Sequence, residues 1–250
     1  MRADVGLTSE QRERYDRNLL VPGFGESGQE GLGAARVLVV GAGGLGSPVL
    51  LYLAAAGVGH LTIADEDTVE LTNLQRQVIH RMDSVGVSKT ASAARAVREL
   101  NPEVATAELG WLEGDSMLEA ARSHDLVLDC TDNFTAKFGT ADACAAAGVP
   151  LVWGTIVSMT FQVTVLWSRP PAPFAPITLR DIHPAPPVPG LADGAAQLGV
   201  LGAAVGQAGS VMAAEAIKLI TGIGQPLIGR LLIADTRAGR WDVIEVGRRE

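Results

Sequence analysis

Cysteine is scarce: Cys130 and Cys144 are the two in 250 residues. Two thiols build neither a disulfide framework nor a paired-thiol metal site, and both sit in apolar surroundings, so the chain reads as one for a reducing, cytoplasmic compartment. Dense positive charge is missing too. With 20 Lys and Arg against 28 Asp and Glu the net charge is -8, which argues against a nucleic-acid binder, because a phosphate-tracking surface needs clustered cations. A local basic pocket stays open. No apolar run reaches a membrane span. The nearest, LGVLGAAVGQAGSVMAA at 198–214, is short, rich in Ala and Gly and interrupted by Gln207, so a buried helix and no membrane role are expected. The first twenty residues mix acids with bases and hold no apolar segment, so neither a signal nor a transit peptide is expected.

What is present is a chain that is 47% apolar, enough for a sizeable core. Residues 9–20 read as one polar helix capped by Thr8 or Ser9 and closed by Pro22 and Gly23. RVLVVGAGGLGSPVLLYLAAAGVGHLTIADED, from residue 36, is a strand, a glycine turn, a helix ending at Gly57 and a second strand ending at Asp65. A helix over 88–100, a weak strand at VATAEL, a short helix near 116–122, the buried strand DLVLDC, a helix at FTAKFGTADACAAAG and a strand at VPLVWG follow. Alternation at this spacing predicts an α/β fold with a Rossmann-like, doubly wound, mainly parallel sheet. The proline-rich run SRPPAPFAPITLRDIHPAPPVPG predicts a long loop over 168–195. A helix over 199–221 and two closing strands, GRLLIAD and RWDVIEV, complete the sheet in antiparallel fashion. The whole, 1–250, is read as a single domain: an N-terminal helical arm (1–34), a nucleotide-binding core (35–167), a crossover loop (168–198) and a C-terminal helix with strands (199–250). Gly199, Gly202, Gly206 and Gly209 fall at spacings of three and four, which predicts one face of close packing, on the sheet or in a dimer contact.

GAGGLGS at 41–47 fits G-x-G-x-x-G through Gly41, Gly43 and Gly46, with Gly44 inside the motif, between strand and helix. Such a turn needs glycine for its dihedrals and for phosphate to approach the amides at a helix N-terminus. Asp65, with Asp67 as the alternative, is placed to accept from a ribose hydroxyl. No Lys-Ser/Thr follows, so this is not the other common phosphate loop. The motif alone does not separate a dinucleotide from ATP, but DEDTVELTNLQRQ at 65–77 brings a polar cluster of Thr72, Asn73, Gln75 and Arg76 that hydride transfer does not require. Nucleotidyl transfer does require cations around a triphosphate and a carboxylate for magnesium. Arg76, Lys89 and Asp132 all lie near carboxyl ends of predicted parallel strands, where ligands collect in open α/β sheets. Each also has a plainer reading: surface ion-pair partner, solvated helix residue and helix N-cap respectively.

GAGGLGSP, ADEDTVELTNLQRQ, VGVSKTASA, LDCTDN and GQAGSVMAAEAIKLITG together resemble the ThiF/MoeB/HesA family, bacterial relatives of ubiquitin-activating enzymes. The resemblance runs from RYDRNLLVPGFGESGQEGL to the last strands. It implies ATP- and magnesium-dependent adenylylation of the C-terminal glycine of a ubiquitin-like sulfur-carrier protein ending in Gly-Gly, usually by a homodimer. It also implies the site: Gly41, Gly43, Gly44 and Gly46 in the nucleotide loop, Asp65 on the ribose, Asn73, Gln75, Arg76 and Lys89 at the polyphosphate, and Asp132 on magnesium with Asn133 beside it. Arg17, in RYDR, matches an arginine that reaches the other subunit's site. Two departures matter. The C-x-x-C pairs that hold zinc in many relatives are absent, so no zinc is expected, and no cysteine occupies the crossover region, so a covalent thiol step is not expected. The crossover segment over 184–194 is expected to close on the carrier tail. A member adenylating a peptide or another carboxylate, a non-catalytic subunit and an NAD-binding oxidoreductase are the alternatives. His60, His80, His124 and His183 show no ligand spacing and receive no catalytic role; only His80 falls near the site.

Overall fold

The computed structural model describes residues 6–186 and 198–247. Eight strands form one sheet in the order β3-β2-β1-β4-β5-β6-β7-β8. The parallel half comprises β1 (Arg36–Val40), β2 (His60–Ala64), β3 (Ala105–Leu109), β4 (Leu126–Asp129) and β5 (Leu151–Val157). The remaining strands, β6 (Thr160–Leu166), β7 (Arg230–Asp235) and β8 (Arg240–Glu245), pair antiparallel. β1, β2 and β4 are buried nearly throughout, as expected for strands covered by helices on both faces. Chain order reverses at β1, which has β2 on one side and β4 on the other, and such a switch point leaves a crevice at the strands' carboxyl ends.

The N-terminal arm departs from a single helix. Thr8 and Gln11 form a capping box for α1 (Ser9–Arg14), but the helix breaks at Tyr15 before α2 (Asp16–Leu19). Tyr15 is 5% exposed, and its hydroxyl accepts from Asn101 Nδ2 at 2.9 Å; burying the ring sets the bend. α3 (Gly25–Ala34) forms despite four glycines because Leu32 and Gln29 are buried, with Gln29 Nε2 donating to the Ala56 carbonyl at 2.8 Å. α4 (Gly46–Ala56) ends at Gly57 in the left-handed conformation. α5 (Lys89–Leu100) starts at Ser88, whose hydroxyl accepts from the Ala91 amide. α6 (Gly114–Arg122) and α7 (Phe134–Ala147) pack on each other, while α4 packs on α5 and on the last helix.

The long-loop expectation for 168–195 needs correction over its described part. Trp167 and Ile177 exchange backbone hydrogen bonds at 2.9 and 3.0 Å, and a one-turn helix, α8 (Leu179–Ile182), follows, capped by Thr178 and Asp181. The prolines flank TLRDI rather than interrupt it, and Ile177 and Leu179 are buried. Most of the 184–194 segment lies outside the described residues. The last helix, α9, begins at Gly202 and runs to Thr221, not at 199. Residues 199–201 are instead pinned to the β5–β6 turn: Ser158 N donates to the Gly199 carbonyl and Leu201 N to the Ser158 carbonyl. Only part of the glycine face is close-packed. A Cβ at Gly202 would lie 2.3 Å from the Gln75 carbonyl and one at Gly209 2.3 Å from Pro48, whereas Gly206 faces open space. Among the described residues no helix is long and apolar enough to cross a membrane.

Candidate functional site

The carboxyl ends of β1, β2 and β4 open on a cleft of about 1300 Å³. Its floor is the glycine turn. Gly41 has φ +96° and a Cβ there would lie 2.8 Å from the Cys130 carbonyl, so the β1 exit and the β4 exit touch backbone to backbone. Gly46 does not line the cleft; a Cβ there would strike the Gly41 carbonyl, which makes this glycine the one that lets α4 dock under the turn. Gly43 and Gly44 do line it, ahead of the first-turn amides of α4, which no preceding turn can accept. Such a turn suits an anion.

Asp65 sits at the cleft edge and is already braced: Oδ2 accepts from the Ala42 amide at 2.8 Å and Oδ1 from the Asp67 amide at 2.9 Å. Each oxygen keeps a second lone-pair direction for a further donor. Lys89 is not a solvated helix residue. Its side chain is 9% exposed and its Nζ donates to Asp67 Oδ2 at 2.7 Å, while its amide donates to the Asp67 carbonyl at 2.9 Å. Asp67 thus holds the lysine at the cleft wall, a role that sequence alone did not assign. Arg76 lines the cleft, half-buried, with Nη1 donating to the Thr72 carbonyl at 3.2 Å. Gln75 lies beside it. Asn73 does not line the cleft: it is 8% exposed and its Oδ1 accepts from the Glu70 amide at 3.1 Å, closing the turn that presents Gln75 and Arg76.

On the β4 side, Asp132 is exposed at the cleft and makes no hydrogen bond or ion pair with the other described residues. The helix cap is Asn133, not Asp132: Asn133 Oδ1 accepts from the Ala136 amide at 2.8 Å. Beneath them lies a pair that sequence reasoning missed. Asp129 is fully buried, with Oδ1 accepting from the Thr131 amide at 3.0 Å and hydroxyl at 2.6 Å, and Lys137 Nζ lies 3.2 Å from Oδ2 and 2.6 Å from the Gly154 carbonyl. This network fixes the 129–132 turn from below. Its partners come from β4, α7 and β5, so no local spacing announces it. Trp111, 38% exposed after β3, and Gln77 also line the cleft.

Arg17 does not line the cleft; its side chain is 90% exposed, with Asp16 at 3.6 Å. The cysteines are packing residues. Burial, and secondarily Asp129, pushes both thiols well above their ordinary range, and no thiolate is available to react. His80 is buried beside the glycine turn, where desolvation holds its imidazole neutral by lowering its pKa.

Comparison with known proteins gives a consistent set of relatives. The ThiF family model matches residues 15–250. A probable adenylyltransferase/sulfurtransferase MoeZ of Mycobacterium tuberculosis is 47% identical over 231 residues, which is 92% of this chain and 58% of that protein. The adenylyltransferase and sulfurtransferase MOCS3-1 of Zea mays is 42% identical over 97% of this chain and 51% of its own length. A sulfur carrier protein adenylyltransferase of Thermus thermophilus is 41% identical over 96% of this chain and 89% of its own length. The chain thus spans little more than half of the first two relatives and most of the third. Among solved structures, PaaA superposes with a TM-score of 0.79 at 21% identity over 98% of this chain and 76% of its own. MccB of E. coli with SeMet MccA gives 0.80 at 22% over 95% and 72%. At that identity the likeness speaks for the shared fold.

Proposed function

Since the chain belongs to the ThiF family, we propose that it adenylylates the C-terminal glycine of a ubiquitin-like sulfur-carrier protein, consuming ATP and releasing pyrophosphate. The observation that carries this reading is convergence: glycine turn, ribose acid, two cations and an unpartnered carboxylate meet in one cleft, drawn from β1, β2, α5 and the β4 exit. The Thermus thermophilus relative, named a sulfur carrier protein adenylyltransferase, supports the substrate class.

In this reading the turn at Gly41, Gly43 and Gly44 takes phosphate oxygens, Asp65 accepts from the ribose, and Arg76 and Lys89 meet the leaving phosphates, with Gln75 alongside. Asp132 suits magnesium as a hard, unpartnered oxygen donor at the cleft surface. When bound, the ion would neutralise phosphate charge. A carboxylate oxygen of the carrier's last glycine attacks the α-phosphorus, and the bond to the bridging oxygen breaks. The acyl adenylate forms while negative charge grows on the departing pyrophosphate, where Arg76 and Lys89 stand. Lys89 must exchange Asp67 for phosphate, or share both. Arg17, exposed on its own chain, would serve the cleft of a second copy in a homodimer. The 168–198 crossover segment, whose Pro186 and neighbouring Gly199 and Val200 reach the cleft, would border the channel for the Gly-Gly tail. All four parts of the chain then act as one adenylylation unit in the cytoplasm. We assign no zinc, since the only thiols are buried and set in different elements.

The test is pyrophosphate exchange into ATP with magnesium and a ubiquitin-fold carrier ending in Gly-Gly, run beside the same carrier lacking its last two residues. Exchange with the first and none with the second is expected. Binding of NAD in place of ATP, or exchange indifferent to the tail, would overturn the reading; metal analysis finding stoichiometric zinc would overturn the zinc assignment.

A further inference from the structure

His80 does not line the cleft and is 5% exposed, yet both ring nitrogens are engaged. Nε2 lies 2.9 Å from the Ala42 carbonyl, which can only accept, so Nε2 carries the proton. Nδ1 is then an acceptor and takes the Ser92 hydroxyl at 2.9 Å. Ala42 is the one non-glycine residue between Gly41 and Gly44, and its other backbone group, the amide, donates to Asp65. Ser92 sits in the first turn of α5, three residues after Lys89.

These bonds close on themselves. From Ala42 the path runs through Asp65 to the Asp67 amide, and from the Asp67 carbonyl and carboxylate to the Lys89 amide and ammonium. One turn of α5 leads to Ser92, and His80 returns it to the Ala42 carbonyl. A glycine-rich turn has almost no side chains with which to set its own position. The turn is tied at Gly41, whose amide donates to the Ala64 carbonyl, and at Gly43, whose carbonyl accepts from the Ser47 amide and hydroxyl; His80 adds the tie at the Ala42 carbonyl opposite Asp65, and bonds in such a circuit reinforce each other.

We propose that His80 is a positioning residue for nucleotide binding: it straps the glycine turn to the first turn of α5, fixing the spacing between the phosphate amides, Asp65 and Lys89 without touching the ligand. The proposal rests on the cleft being the ATP site, and its test separates the two.

Three substitutions divide volume from bonding. His80→Gln puts an amide nitrogen near the Nε2 position and keeps a donor for Ala42. His80→Asn reaches only the Nδ1 position, and His80→Phe keeps the ring without either bond. Magnesium-ATP titration of the full chain is expected to give a Kd raised roughly fivefold to tenfold for the Phe and Asn variants, which lose the bond to the turn, the loss of one hydrogen bond's worth of preorganisation, and raised by a smaller factor, about threefold, for the Gln variant, which keeps that bond and loses the one to Ser92. Amide hydrogen exchange without nucleotide reads the strap directly. Exchange over 41–45 should quicken in the Phe and Asn variants, and in Ser92→Ala, which suits a helix and cannot fail for want of propensity. His80→Gln, which keeps the Ala42 bond and loses the Ser92 one, should match Ser92→Ala. If affinity and exchange follow side-chain volume, with Phe nearest wild type, or if all variants match wild type, the proposal is overturned. If wild type binds no ATP but the exchange pattern holds, the ATP reading fails while the strap stands.

Discussion

In the proposed reaction Arg76 carries the most weight, because no other described arginine lines the cleft. Arg76→Ala should leave the circular dichroism spectrum and unfolding midpoint near wild type and lower carrier-dependent pyrophosphate exchange by roughly 10³ or more, as losing an arginine at transition-state charge does elsewhere. Wild-type exchange in that variant would remove Arg76 from the reaction. Lys137 belongs to stability instead. Lys137→Met strands the Asp129 carboxylate, and breaking a buried pair from one side costs about 3–5 kcal/mol; a denaturant midpoint close to wild type would contradict the buried network. The two cations show what a sequence reveals of a site. Arg76 and Lys89 were both legible as charges at strand ends. That Lys89 is buried against Asp67 was not, because the contact joins residues 22 positions apart. Asn133, rather than Asp132, caps α7, and a shift of one position is below what residue preference can resolve, since both residue types cap well.

The elements carry their own predictions. α9 approaches the 71–77 segment through Gly202, where a Cβ would lie 2.3 Å from the Gln75 carbonyl, while Gly206 one turn on meets nothing within 4 Å. Gly202→Ala should therefore displace the turn presenting Arg76, costing about 1–3 kcal/mol by overpacking and lowering exchange activity. Gly206→Ala should raise stability by about 0.5–1 kcal/mol through helix propensity alone. Denaturation of the two variants side by side decides it; equal effects would mean α9 does not seat as described. Parallel strands, the glycine turn and most helices were readable because their signals are local: apolar runs of four or five, caps, breaking glycines. The split at Tyr15 and the late start of α9 were not. Each is decided by a distant partner, respectively Asn101 and Ser158, and tertiary contacts override propensity where they conflict.

At the scale of the whole molecule the histidines act in concert. His60, His80, His124 and His183 all have pKa values lowered from 6.5, chiefly by burial, with Arg36 adding to the effect at His60 and His124. A histidine depressed in the folded state binds its proton more readily when unfolded, so stability is complete above about pH 6.5 and drains away as pH falls through that value toward the folded pKa. Urea midpoints should accordingly decline from pH 7.5 through 6.5 to 5.5; a flat or rising trend would show that the rings accept protons without unfolding.

The lining of the cleft has an electrostatic consequence of its own. Four carboxylates, Asp65, Glu66, Asp67 and Asp132, surround two cations, Arg76 and Lys89, on a chain that is itself at -8. A free tetra-anion would be turned away at the mouth by this field. In the proposed reaction, admission would then go to nucleotide already escorted by a divalent ion, and chelator added to an ATP titration should weaken affinity far more than the same ionic strength of potassium chloride.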